Sequence, residues 1–468
     1  MTDIDPKVLE GVFAEALARG GDFSDLFAED QRTATVVLED DRVERVQFGH
    51  DRGAGVRVVA GDVTGYAYVD GWDEASLLRA ARVAGRVARD RGAPGKRVAL
   101  GTIAALTASG IARPFESASE SERVELTLRA NRAARAAGGE VRQVTLRFAD
   151  AVQRVLVAGS DGTFAEDERR TVQLVVGVTA ERGGQRQVGR RARGGQAGLE
   201  LFERYVPEEV GREAAQAAIH MLDAVPAPAG PMPVVVGNGW GGVLFHEAVG
   251  HGLEADHVQK NSSVYAGKLG QQVASSLVTL VDDATVPNHR GSFRIDDEGV
   301  PAQRTPLVER GTLSGYLTDR KQARLLGLPA SGNGRRQSFQ FLPIPRMTNL
   351  YIEAGSIDPA ELIQDTRRGI YVASLGGGQV DPASGQFVFS VTEGYLIEGG
   401  TLASPIRGAT LAGDSFSVLR RIDAIGSDFA LDPGLGTCGK LGQWVPVGVG
   451  QPTLRVAELL VGGTDPGP

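Results

Sequence analysis

Cysteine occurs once in the 468 residues, at position 438, so no disulfide can close within the chain and the thiol suits a reducing compartment. Histidine is scarce at six, tryptophan at three and methionine at four. No stretch approaches the ~18 consecutive apolar residues of a membrane span. The opening Met1-Thr-Asp-Ile-Asp-Pro6 is acidic, unlike the basic start of a secretory leader. Together these absences make the cytoplasm the expected location. Positive charge is not in surplus either: 50 Lys and Arg stand against 58 Asp and Glu, a net charge of −8, and no nucleic-acid or membrane partner is expected from composition. Glycine, by contrast, is abundant. Its 63 residues are nearly twice the usual ~7% and favour turns and hairpins over a helical bundle. The length exceeds the ~250–300 residues at which single cores stop growing, so two or three domains are expected.

The first half alternates helical and strand patterns. A helix is expected from about Pro6 to Arg19, with proline in its first turn. Thr33–Glu39 and Arg42–Phe48 alternate around Asp40-Asp41 as a hairpin, and Gly55–Val59 with Gly65–Val69 form a second. Leu77, Leu78, Ala81, Ala84 and Ala88 recur at helical spacing over 73–89, and the pattern loosens around Ala93-Pro-Gly-Lys96. A further helix over Ser119–Ala137 precedes strands at Val141–Phe148, Gln153–Ala158 and Thr171–Thr179. This is an α+β pattern, an antiparallel sheet with helices on one side. Residues 181–195 are the most basic run and read as a solvated, mobile loop, since no aromatic residues accompany the arginines. After a helix from Pro207 to Leu222, the proline-rich 224–233 reads as a stiff linker. We place the domain boundary there, giving an N-terminal α+β domain (1–225) and a C-terminal mainly β domain, barrel-like or sandwiched (226–468).

Just past that boundary lies the densest group of metal-capable side chains. Val234–Val236 form a β-branched run, Gly237–Gly239 break it, and Trp240 to about Leu253 suits a helix that carries His246, Glu247 and His251. Zinc proteases use His-Glu-x-x-His, where ~100° per residue leaves the two histidines about 40° apart on one face. Here one residue is added, and an ideal helix would turn the second histidine by ~140°, too far to share an ion. A local defect is therefore expected between His246 and His251. A π-bulge eased by Gly250 would supply it. Zinc also requires a third protein ligand, and Glu254, Asp256, His257, His289 and Cys438 are all candidates. Spacing alone does not choose among them.

These residues and several later strings resemble the TldD/PmbA family of metallopeptidases, in its TldD branch. The pattern includes His246-Glu-Ala-Val-Gly-His-Gly-Leu-Glu254, Asp296-Asp-Glu-Gly-Val-Pro301, Asn333-Gly-Arg-Arg336, Leu342-Pro-Ile-Pro-Arg-Met-Thr-Asn349, Gly376-Gly-Gly-Gln-Val-Asp381 and Thr437-Cys-Gly-Lys440. It spans about 234–461. The resemblance implies that His246, His251 and Cys438 bind one zinc per chain and that Glu247 is the general base. It implies that His257 and His289 are surface residues. It further implies a substrate of unfolded or extended peptide, and a dimer, either of this chain or with a metal-free family member.

The expected chemistry is hydrolysis of a peptide bond, with zinc activating water and Glu247 relaying its proton. Donors for the developing oxyanion are sought in Arg335, Arg336, Arg346 or the backbone amides around Gly377. The alternative is a non-catalytic regulator or binding subunit with a structural zinc, for which a closed four-ligand site would be the mark.

Overall fold

The computed structural model describes residues 4–86, 101–102 and 111–464. Asp40 and Asp41 have φ of 45° and 70°, the mirror-image turn whose twist matches paired strands. The strands they join are much longer than the alternating segments in the sequence. β1 runs Phe23–Glu39 and β2 Arg42–Ala60, paired from Phe23↔Val59 to Glu39↔Arg42. β3, Val63–Asp70, completes the second hairpin. Two helices cover this ribbon, α1 (Pro6–Ala16) and α2 (Glu74–Gly85), each capped by an aspartate side chain, Asp5 and Asp73. Their leucines Leu9 and Leu77 pack on Leu26 and Val56 of the sheet. Ala88 and the loosened Ala93–Lys96 stretch lie outside the described residues.

A second block repeats the scheme. α3 (Glu120–Arg135) is capped by Ser119, β4 (Val141–Gly159) and β5 (Thr163–Arg182) follow, and α4 (Pro207–His220) closes the block. Where the sequence suggested three strands there are two. The interruption at Ala149–Val152 stays paired with both neighbours, and its Asp150 is buried against Arg123 at 2.6 Å. The expected basic loop is also a strand: β6, Gln185–Gly195, pairs along β5 through a Gly183-Gly184 turn. Its arginines are not simply solvated, since Arg193 pairs with Glu213 of α4 at 2.7 Å and Arg191 with Glu393 at 3.0 Å. The sheet order is β3-β2-β1-β4-β5-β6, with Gly101–Thr102 alongside the start of β5.

Most of the expected linker at 224–233 is sheet as well. Val225-Pro226 pair with Ile406-Arg407, and β7 occupies Gly230–Val236. Proline is tolerated there because Pro231 and Pro233 lie in the first half of the strand, with the β-branched Val234–Val236 in its fully buried end. β7, β8 (Arg368–Val380), β9 (Gln386–Glu398), β10 (Thr410–Asp414) and β11 (Leu454–Gly462) then pair in a closed ring, β7-β11-β10-β9-β8 and back to β7. The ring is a five-stranded barrel in which only β7 and β8 are parallel. A sheet of six short strands, including Leu280–Asp283, Asn349–Ile352 and Gly448–Gln451, lies beside it. One apolar core unites both, and it contains Leu244, Phe245, Val249 and Cys438. No helix among the described residues is long and apolar enough to cross a membrane.

The two halves meet along a charged seam. Arg57 of β2 reaches Asp25 of β1 and, at 2.6 Å, Glu298. Arg169 of β5 donates to Asp297 and to the Ile295 carbonyl, both at 2.8 Å. Asp296 turns inward and accepts the backbone amides of Glu298, Val300 and Gly334. The Asp296-Asp-Glu298 string is thus the clasp between the N-terminal sheet and the barrel half.

Candidate metal centre

β7 ends at Val236, a 3₁₀ turn covers Gly239–Gly242, and α5 runs only from Val243 to Ala248. At Val249 the backbone leaves the helix, with φ −124° and ψ −50°, and Gly250–Leu253 form a second 3₁₀ turn. The expected defect between the histidines is present, but it is not a π-bulge. The helix stops and restarts as a tighter turn, and the break takes up the extra residue. Gly250 also has a different reason from the one its sequence suggested. It is not in the left-handed region; instead a Cβ there would lie 2.1 Å from Sδ of Met347, which is fully buried. Gly250→Ala should therefore lower stability by about 1–3 kcal/mol, the usual cost of overpacking. Denaturant unfolding tests this, and a variant as stable as the parent would show that the contact is not tight.

The break brings His251 back beside His246, their ring centroids 5.3 Å apart and their planes at 85°. Cys438 comes from the hairpin Thr437–Lys440/Gln443–Pro446, whose Leu441-Gly442 turn has φ of 50° and 75°. One donor atom from each of His246, His251 and Cys438 lies within 4.8 Å of the others. Sγ of Cys438 is 3.5 Å from Nε2 of His251 across 187 residues of sequence. All three residues are buried, at 2, 8 and 3% exposure, whereas Glu247 keeps 25% of its side chain open, with Oε2 3.5 Å from the same Nε2. Glu247 is thus the partly exposed carboxylate beside a buried cluster.

Electrostatics favour the thiolate at Cys438, while, against burial, the same charge raises the basicity of His246 and His251, which must give up their protons to bind an ion. Burial pushes the Cys438 thiol up, but the imidazoles of His246 and His251 outweigh it and hold the thiol well below its ordinary value. Nδ1 of His251 is 2.9 Å from Glu254, which fixes the ring and leaves Nε2 towards the sulfur. Burial alone would raise Glu254. Lys440, at 3.0 Å, and His251 hold it well below the usual carboxylate range. Nδ1 of His246 is buried without a protein partner. Two imidazoles, one of them with an orphaned ring nitrogen, and a thiol form a set that fits zinc.

The other ligand candidates are engaged elsewhere. Glu254 stands behind His251, and Asp256 is bound at 2.6 Å by Lys440, whose ammonium fills the space between the two carboxylates. That cation accounts for the neighbouring group of Glu254, Asp256 and His257 without a metal. His257 is only half-buried, but His289 is not the surface residue expected. Its side chain is 14% exposed, with Nδ1 2.9 Å from Asn349 and Nε2 3.1 Å from the Asp432 carbonyl. Arg335, Arg336 and Arg346 are all buried. Arg346 donates to the Cys438 carbonyl at 2.6 Å and braces the hairpin, and Arg335 donates to the carbonyls of Met347 and Pro446. Arg336 donates to the Asp297 carbonyl in the seam. Gly377 lies at a register shift in β8, where its carbonyl accepts from Ser390. The sequence reading missed Lys440 as the counter-ion of Glu254. The one signal for it was its place two residues after the lone cysteine.

Three models of the PmbA/TldA metallopeptidases match the chain: domain 1 over 24–88, the central domain over 113–222 and the C-terminal domain over 229–463. A Haemophilus influenzae protein named a metalloprotease TldD homolog is 43% identical over 470 aligned residues, which cover 99% of this chain and 98% of its own. A Buchnera aphidicola protein of the same name is 38% identical, over 96% of this chain and 94% of its own. Among solved structures, a Thermotoga maritima protein described as a candidate modulator of a DNA gyrase has a TM-score of 0.80. That likeness covers 97% of this chain and 99% of the other at 23% identity, and it is one of fold.

Proposed function

The chain belongs to the PmbA/TldA metallopeptidase family, and from that premise we propose a zinc-dependent peptidase that hydrolyses peptide bonds in unfolded or extended chains. His246, His251 and Cys438 would hold one zinc per chain. The observation that carries this reading is the convergence of three buried donors within 4.8 Å, two from one short segment and the third from 187 residues further along the chain. Bound zinc supplies Lewis acidity towards water and towards the scissile carbonyl. The chain's own residues do the rest. Glu247 accepts the proton of the attacking water on its partly exposed carboxylate and delivers it to the leaving amine. Glu254 holds the His251 ring, and Lys440 keeps Glu254 charged where burial would protonate it. A thiolate ligand donates more charge to the ion than a third imidazole would, so modest turnover is expected. The working assembly is a dimer, of this chain or with a metal-free relative, and the reducing cytoplasm preserves the lone thiol.

Elemental analysis beside cleavage of an unstructured peptide tests the reading. The parent should carry one zinc per chain and cleave, and Cys438→Ala should lose both. A parent that holds zinc but cleaves nothing, even with candidate partners supplied, would instead be a regulator with a structural metal.

A further inference from the structure

Two cavities, of about 320 and 540 Å³, share Arg147, Gln173 and Thr437. They form one trough between the N-terminal sheet and the barrel half, with the Cys438 hairpin in its wall. In a chain of net charge −8, five arginines and two aspartates line the smaller cavity. Both aspartates are already paired, Asp150 with Arg123 and Asp297 with Arg169. Arg335 spends its terminal donors on carbonyls, and Arg336 donates to the Asp297 carbonyl. That leaves Arg147 and Arg290. Arg290 donates to the Gly436 carbonyl at 2.8 Å and to Oγ1 of Thr437 at 3.3 Å, beside the candidate ligand. Neither arginine makes a close ion pair with a carboxylate among the described residues, although Asp432 lies near enough to favour the charge of Arg290. Burial and the neighbouring Arg147 push Arg290 down to about 10, against Asp432, and it stays charged at neutral pH. Two like charges facing one cavity repel, and an anion between them would relieve that cost.

Resting on the peptidase reading above, we propose that this trough takes an acidic stretch of the extended substrate and that Arg147 and Arg290 hold a substrate carboxylate. Neutral polar residues such as Thr33, Gln153 and Gln173 also line the smaller cavity and can meet a peptide backbone without reading its side chains. The same charge could attract single-stranded nucleic acid, and Trp444 in the wall of the smaller cavity, 61% exposed, offers one ring for a base, so an oligonucleotide is one arm of the test; the other two rings are engaged. Phe293 lies under the guanidiniums of Arg169 and Arg335, and Trp240 donates its indole N–H to the Leu375 carbonyl.

The test is fluorescence anisotropy with zinc-loaded Glu247→Gln chain, which separates binding from cleavage. The probe is a short unstructured peptide in a glutamate and a glutamine version, each as free acid and as C-terminal amide. The glutamate version should bind about 10-fold tighter at low salt, the size of one charge-assisted hydrogen bond, and the difference should shrink as salt is added. Arg147→Gln or Arg290→Gln should bring the ratio towards one, and Arg147→Lys should keep part of it. If the glutamate preference persists in the amides, side-chain carboxylates are held, as proposed; if the two free acids bind alike and amidation weakens both alike, the terminal carboxylate is held and the acidic-stretch proposal fails. Equal binding of the glutamate and glutamine versions overturns the proposal. So does a preference that survives both arginine variants, or displacement of the peptide by a short oligothymidylate at lower concentration than by the acidic peptide itself. A parent that cleaves none of these peptides while the charge preference persists would sink the peptidase reading and leave the acidic-peptide trough standing.

Discussion

Glu247→Gln should keep its full zinc content and lose peptide cleavage by about 10²–10⁴-fold in kcat, the range that a positioned general base supplies. Gln has nearly the same shape and still accepts a hydrogen bond, so the fold has little reason to respond. Glu247 is partly exposed and holds no buried network together; among the described residues it faces His251, at 3.5 Å, and His246. The loss should appear in kcat more than in KM, because the proton is in motion only in the transition state. A purely structural role for Glu247, as a counter-charge to His251, makes a different forecast: zinc affinity and stability would fall together and the residual enzyme would turn over normally. Normal cleavage by a zinc-loaded Glu247→Gln chain would remove Glu247 from the mechanism.

The histidine pair was legible because its chemistry is local. His246 and His251 sit at nearly the spacing one helix face requires, so the mismatch itself announced a break. What the sequence could not announce was the form of the break, which depends on Met347 and Leu350 packing against Gly250 from another part of the chain. The third donor was open for the same reason. Glu254, Asp256 and His257 are near His251 in sequence, but a side chain three residues away reached the outer nitrogen of the ring, while Cys438 came round through a hairpin on the far side. The β strands were under-read where polar residues interrupt alternation. Asp150 breaks the pattern of β4, yet Arg123 neutralises it and the ladder runs on. In β6 the arginines suggested solvent, but their aliphatic stems and their partners Glu213 and Glu393 make an edge strand tolerable. Periodicity records which face a residue prefers, and it cannot record a partner that arrives from elsewhere.

Arg57→Met should be the most destabilising single change at the seam. The guanidinium is 2% exposed, with Nε 3.0 Å from Asp25 and Nη2 2.6 Å from Glu298, and both carboxylates are as deeply buried. An intact buried pair adds little net stability, because the desolvation of its charges offsets their attraction. Breaking it is another matter, since two carboxylates would be left without a cation, and a loss of about 3–5 kcal/mol is expected in denaturant unfolding. The effect should reach the metal centre. Asp297, beside Glu298, accepts the backbone amide of Arg336 at 2.8 Å, and Arg335 in turn donates to Pro446, which pairs with Thr437 next to Cys438. Zinc release should therefore follow the unfolding transition to lower denaturant. The triple variant Asp25→Asn/Arg57→Met/Glu298→Gln separates charge from packing: with no buried charge left unpaired, it should regain most of the lost stability. If Arg57→Met unfolds with the parent, the seam is not held by this triad, and the coupling from the N-terminal sheet to the hairpin must run through Arg169 and Asp297 instead.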